Sequence, residues 1–276
     1  MKKIILSLLA ISMLSFTTIA NSKSIRIGTE GAYPPWNNLN AAGELEGAEI
    51  DFGNEACKRM GVDCEWVTQD WDGIIPALLN GKYDIIIAGM SITEERKEKV
   101  NFTNGYMTDG ARFAVLKNSG LAGMNVGASK VNLNNAGGKE QAAIGQLIAA
   151  MDGKTVCVQS STIHQNFLEK HMSGAVEVRL YQAVDDHNLD LAAGRCDAIL
   201  ADVGSIIDFI ESDGGVDVTF TGPTFSGGVF GDGVGGAIRK EDTDILEMWN
   251  KVIAEMSADG TTAEITKQWF GRDISM

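Results

Sequence analysis

The sequence predicts an α/β fold of two similar lobes, each a sheet flanked by helices with a cleft between them, and two observations predict it. The first is Ile85-Ile86-Ile87, an apolar run without alternation, as a parallel strand covered on both faces should be. The second is a repeat. Gly81-Lys82-Tyr83-Asp84-Ile85-Ile86-Ile87-Ala88-Gly89 follows the pattern Gly, basic, any residue, Asp, three apolar, Ala, and Gly194-Arg195-Cys196-Asp197-Ala198-Ile199-Leu200-Ala201-Asp202 follows it again. In each copy the Gly can end a helix and the Asp can open a buried strand.

Two such strands offer two carboxyl ends to one cleft, and open parallel sheets bind ligands beyond those ends. The first end carries Gly89, Ser91, Thr93 and Arg96; the second carries Asp202, where the first copy has Gly89. A fixed cation from one lobe and an anion from the other are the partners that an α-amino acid zwitterion requires.

Taken in order, residues 1–20 have the plan of an export signal: Lys2 and Lys3, an apolar stretch over 4–16, and the small-residue site Thr18-Ile19-Ala20. The apolar stretch is short for a membrane span, so the expectation is a cleaved signal and a soluble periplasmic or secreted chain. Cleavage takes the 23 basic residues to 21 against 37 acidic ones, a net charge of −16. Such a surface lacks the basic patch that nucleic acid or anionic membranes need. In an oxidising compartment the four cysteines are expected in disulfides. Cys57 and Cys64 flank a short helix-to-strand connection and form the first candidate pair; Cys157 and Cys196, near the starts of two apolar strands, form the second. Zinc is the weaker alternative, because no close CxxC pair is present and His164, His171 and His187 are scattered.

Residues 24–29 alternate and read as the first strand, running into a loop over 30–36 that Gly31, Pro34 and Pro35 keep from becoming helical. Glu30 and Tyr33 are thereby held at a strand exit. A helix over 47–60, a strand over 65–68 and a helix opened by Asp70-Trp71-Asp72-Gly73 precede the central run. Phe113 to Lys117 reads as a strand leaving the first lobe. A Gly, Asn and Ala rich segment over 119–150 follows, with one helix at 141–151. Residues 154–159 read as a buried strand, and Ser160-Ser161-Thr162 can cap the next helix, whose N-terminus suits a carboxylate. Beyond the second copy come a helix over 203–212, a crossing loop from Thr221-Gly222-Pro223 through 227–236, an amphipathic helix over 244–256 and a last helix over 263–270. Gly231-x-Gly233-x-x-Gly236 matches a dinucleotide fingerprint but leads into a strand, not a helix, and is discarded.

These residues resemble the bacterial periplasmic amino-acid-binding proteins that serve ABC importers. The likeness rests on Gly47 to Phe52, Met90 to Arg96, Gly194 to Asp197 with Asp202, Phe230 to Gly233, and the ending from Asp259 to Phe270. Within that family the chain is similar to the lysine/arginine/ornithine binders, through Cys57 and Cys64, and to the octopine and nopaline binders, through the long 119–150 segment and Gly89. The resemblance implies a two-lobed periplasmic-binding-protein type II fold with residues 21–110 and 226–276 in the first lobe and 111–225 in the second. It implies that Arg96 and Thr162 hold a ligand carboxylate, that Asp202 and Ser91 hold its ammonium, and that Tyr33 and Trp71 sandwich its side chain. Glu30 would face a distal cation, with Ala88, Gly89 and Ser161 also lining the site. Gly89 would leave room for a substituted nitrogen.

The chemistry agrees: Arg offers a fork to a carboxylate, and aromatic faces can enclose an alkyl chain or a guanidinium. The implied partners are a small-molecule ligand and a membrane permease, with a monomeric chain, no cofactor and no metal. Without the family, Tyr33 and Trp71 read as core packing, Glu30 as a solvated loop acid and Arg96 as a surface ion pair. An enzyme on the same scaffold, such as a cyclohexadienyl-type dehydratase, is the alternative class, although Gly89-Met90-Ser91-Ile92-Thr93 lacks the final Gly of a nucleophile elbow and the histidines have no evident partner.

Overall fold

The two copies of the repeat fold alike, down to single hydrogen bonds. In a computed structural model, which describes residues 24–276 and leaves the export-signal reading outside the described residues, each copy begins where a helix ends. Gly81 and Gly194 take left-handed φ values of 75° and 69°, a conformation that costs glycine nothing. The Gly81 and Lys82 amides return to the Leu78 and Ala77 carbonyls, and the Gly194 and Arg195 amides to those of Leu191 and Asp190. This is the double closure of a left-handed helix terminus. Each Asp then fastens its strand to the neighbouring one. The Asp84 amide donates to the Arg26 carbonyl at 2.8 Å while its carboxylate accepts the Arg26 amide at 3.0 Å. Asp197 does the same with Thr155, both bonds at 2.9 Å.

The first sheet has the order Asp63–Thr68, Ser24–Thr29, Ile85–Ile86, Ala237–Ile238, Asn101–Phe102. Its first three strands are parallel, and Ala237–Ile238 runs antiparallel between Ile85–Ile86 and Asn101–Phe102. The second sheet has the order Val176–Tyr181, Lys154–Gln159, Ala198–Asp202, Ala111–Leu116, Val218–Ser226, Lys130–Asn132. Its first three strands are again parallel. Both central strands are covered on both faces, which explains their lack of alternation. Ile85 and Ile87 pack with Phe52 and Trp249 on one side, and Ile86 and Ala88 with Ile74 and Leu78 on the other. Ala198 and Leu200 face Phe113 and Phe167, whereas Ile199 and Ala201 face Leu191 and Ile206.

The chain enters the second sheet at Ala111 and leaves it after Ser226, passing through the turn Gly228–Phe230 to reach Ala237–Ile238 in the first sheet. A bridge between Met107 and Val234 ties the outgoing and returning segments. Helices Thr243–Ala258 and Thr261–Phe270 pack on Ala48–Met60 beside the first sheet.

Two local expectations give way. Thr221-Gly222-Pro223 lies in the strand Val218–Ser226, not in the crossing loop, and the pairing shifts register between Thr221 and Phe225, where Pro223 has no amide to donate. The stretch expected as a loop over 30–36 is more than a loop. Ala32–Tyr33, Asn37–Leu39 and Leu45–Glu46 form a small antiparallel sheet that fixes Tyr33. Both cysteine pairs are bridged, Cys57 to Cys64 with Cα atoms 6.2 Å apart and Cys157 to Cys196 at 5.9 Å. No described helix is long and apolar enough to cross a membrane.

Candidate ligand-binding site

The ends of the two repeat strands meet at a pocket whose atom-free space, its mouth to solvent included, is about 330 Å³. Glu30, Tyr33, Trp71, Ala88, Gly89, Ser91 and Arg96 line it from the first-sheet side, and Thr162 and Asp202 from the second. Ser161 alone of the expected residues is absent from its wall. The Ser161 carbonyl instead accepts the Trp71 indole N–H at 3.0 Å, and its amide donates to Gln165 Oε1. Gln159, Ile163 and His164 line the pocket in addition. Gln159 sits where an alternating reading of a buried strand gives no reason to single out a polar end residue. Ile163 and His164 follow from their place in the first turn of the helix Ile163–His171.

Arg96 belongs to a short helix, Glu94–Lys97, which Thr93 caps by accepting the Arg96 amide. Its Nη1 donates to the Ser91 carbonyl at 3.0 Å, and its guanidinium lies 5.2 Å from the centre of the Trp71 ring. Among the described residues it forms no ion pair, so the surface-ion-pair reading fails and most of its five donors remain for a ligand. Burial draws its pKa down to about 10, which leaves it charged at neutral pH. The cation that covers Trp71 here is the protein's own.

Thr162 is the N-cap of its helix: its hydroxyl donates to the Gln159 carbonyl at 2.7 Å and accepts the Gln165 amide at 3.3 Å. That hydroxyl is committed to the chain. What the helix offers a carboxylate is therefore its first-turn N–H groups and their partial positive charge.

Asp202 ends the second repeat strand and is 8 % exposed. Its Oδ2 accepts the Tyr33 hydroxyl at 2.7 Å from the other lobe, and its Oδ1 lies 3.2 Å from His164 Nε2. His164 thus has a partner that sequence did not provide. A carboxylate has about four acceptor sites, so Asp202 keeps room for an ammonium. Tyr33 is buried, but its hydroxyl shows that it does more than pack. Its ring also stands 3.3 Å from where a Cβ on Gly89 would sit, so it borders the space beside Gly89, which itself lines the pocket.

Gly89 itself has φ 61°, and its amide donates to both oxygens of Glu49, at 2.8 and 2.7 Å. Glu49 is fully buried and also accepts the Tyr106 hydroxyl and the Asn37 amide group. This acid orients the floor of the pocket without lining it, a role that no pattern in the sequence reveals.

Glu30, at the exit of the first strand, is 8 % exposed rather than solvated. Its Oε1 accepts Gln159 Nε2 at 2.6 Å across the lobes. Burial pushes its pKa up to about 7, with Asp70, Asp72 and Asp185 adding to the rise and the Gln159 bond opposing it. No cationic side chain pairs with it among the described residues. The pocket wall therefore presents a fixed cation, a helix N-terminus, the Asp202 carboxylate with Ser91, and a buried carboxyl that no cation pairs among the described residues.

Residues 25–272 match the family model of the bacterial extracellular solute-binding proteins, family 3. The chain belongs to this family. Among its relatives are an octopine-binding periplasmic protein of Rhizobium meliloti, 35% identical with 93% of each chain covered, and an L-arginine-binding protein of Pseudomonas aeruginosa, 36% identical with 99% of this chain and 98% of the other covered. A solved relative is a periplasmic His/Glu/Gln/Arg/opine family-binding protein from Silicibacter pomeroyi in complex with lysine. It superposes with a TM-score of 0.73 at 33% identity, covering 91% of this chain and 99% of that one. This family 3 protein shares the two-lobed fold of such neighbours, and amino-acid or opine binding is the coarse function common to them.

Proposed function

We propose that this family 3 protein captures a cationic amino acid, arginine, lysine or ornithine, in the periplasm and delivers it to a membrane importer without chemical change. Residues 21–110 and 226–276 would close on residues 111–225 about the crossings near Met107 and Val234. The observation that carries the ligand class is Glu30, a buried carboxyl in the pocket wall with no cationic partner among the described residues; a ligand's distal cation would face it. A bound ammonium or guanidinium would supply the missing charge and stabilise the ionised form. Arg96 with the Ile163–His171 helix start would take the α-carboxylate, and Asp202 with Ser91 the α-ammonium.

The opine alternative draws on Gly89 and on the likeness to an octopine binder, but the Tyr33 ring narrows the space beside Gly89. Calorimetry on ligand-stripped protein tests the proposal. Arginine, lysine or ornithine should bind more tightly than glutamate or leucine, and Glu30→Gln should reduce that preference. Preference for glutamate or leucine, or turnover of prephenate, would refute it.

A further inference from the structure

The site continues behind its nitrogen end. Ser91 and Asp202 are shared with a second cavity beneath the crossing segments, which Thr108, Asp109, Ser226 and Phe230 complete. Asp109 is 5 % exposed at its side chain and fully committed. Its Oδ1 accepts the Gly110 amide at 2.8 Å and Arg272 Nη2 at 2.6 Å, and its Oδ2 accepts the Gly204 amide at 2.6 Å. The residues lining this cavity include no lysine, arginine or histidine.

We propose that Asp109 is a specificity-determining residue for the nitrogen end of the ligand, admitting a free or small N-alkyl amine and refusing an N-carboxyalkyl amine. The inference rests on the reading that Ser91 and Asp202 hold the α-nitrogen. A substituent on a nitrogen held there has two ways to go. Past Gly89 it meets the Tyr33 ring. Behind Ser91 it enters the second cavity, where a carboxylate arm would stand between two buried carboxylates. Of the two cations nearby, Arg272 already pairs with Asp109, and Arg96, which donates to the Ser91 carbonyl, is taken up by the α-carboxylate in that same reading. A buried charge without a partner is strongly disfavoured, whereas a methyl group brings no charge into a cavity whose lining, besides the two acids, is hydroxyls, glycines, Phe230 and Val234. The two acids do sense one another, since the Asp202 charge adds to burial in raising the Asp109 carboxyl to about 6.

Calorimetry at about pH 8, above the value of about 6 for Asp109, compares arginine, Nα-methylarginine and octopine on the wild type, Asp109→Asn and Arg272→Gln. In the wild type Nα-methylarginine should bind within about tenfold of arginine and octopine at least ~100-fold more weakly. Asp109→Asn should narrow the arginine-to-octopine ratio by about tenfold or more. Arg272→Gln strips Asp109 of the counter-charge that holds its carboxyl down; compared with the wild type at about pH 9, so that Asp109 stays ionised, it should widen the ratio, and it decides the matter should Asp109→Asn fail to fold. Octopine binding the wild type as tightly as arginine, or a ratio unchanged in whichever variants fold, overturns the inference and leaves the cationic-ligand reading standing. Glutamate or leucine outcompeting arginine on the wild type overturns both.

Discussion

Ligand affinity should depend on pH through Glu30. In the ligand-free protein this carboxyl titrates at about 7 against an ordinary 4.5, burial being the main cause. A cation bound against it favours the ionised form and draws the value back down. Below pH 7 binding must therefore displace a proton, and affinity should fall by about tenfold per pH unit, reaching roughly 100-fold between pH 8 and pH 5. Folding has the opposite slope. A carboxyl whose native value is raised contributes stability that is present below the unfolded value and lost as pH rises through about 7, up to about 3 kcal/mol for this shift. Glu30→Gln should flatten both dependences, weaken arginine binding at pH 8 and raise the melting temperature of the ligand-free protein there, because it removes an unpaired buried charge. Isothermal titration in buffers of different ionisation enthalpy counts the displaced proton. Arginine affinity that is level from pH 5 to 8, or an equal slope in Glu30→Gln, would show that this carboxyl does not meet the ligand's cation.

Arg96→Ala and Asp202→Ala should each weaken binding by at least ~30-fold, because loss of one partner leaves a charge poorly compensated in a closed cleft, about 2 to 5 kcal/mol; calorimetry at pH 8 checks both. Tyr33→Phe removes the cross-lobe hydroxyl that Asp202 accepts at 2.7 Å. A hydrogen bond to a charged group contributes roughly 1.5 to 3 kcal/mol, so the closed state should lose population, seen as a larger radius of gyration by small-angle scattering and at least ~10-fold weaker binding. The disulfides should differ in effect, since the stabilisation grows with the loop closed. Cys157 to Cys196 spans 39 residues and Cys57 to Cys64 only 7. Replacing the first pair by alanine should cost about 4 kcal/mol and the second about 2.5, measured by denaturant unfolding.

How far the chain is legible without coordinates follows from where its constraints lie. The repeat is readable because each of its marked positions answers a backbone demand: a left-handed helix end for Gly81 and Gly194, a strand-to-strand fastening for Asp84 and Asp197. Arg96, Asp202, Glu30 and Tyr33 are readable as strand-exit residues, and the roles proposed for them come from the family resemblance. Residues acting through a distant partner are not readable. His164 meets Asp202 across 38 positions, Gln159 meets Glu30 across 129, and Glu49 holds Gly89 across 40. Nothing local marks these pairs, because both partners are ordinary choices for their own segments. The small sheet over residues 32–46 escaped for a different reason. Its strands are two or three residues long, too short for a period to register.

The two copies also explain why the cleft is asymmetric. They match through the helix end, the Asp fastening and the two-faced strand, then part at one position. There the first copy has Gly89, whose amide Glu49 fixes and whose missing Cβ lets the Tyr33 ring approach. The second has Asp202, which takes the Tyr33 hydroxyl. One tyrosine thus packs on the end of the first copy and hydrogen-bonds to the end of the second. A side chain at position 89 would both strain a backbone at φ 61° and displace the Tyr33 ring. Gly89→Ala should therefore weaken the contact of Tyr33 with Asp202, and with it closure, although position 89 itself contributes no charge to the ligand. Its effect should overlap that of Tyr33→Phe: a double variant no weaker than the worse single one would place both residues in one contact, and additive losses would separate them.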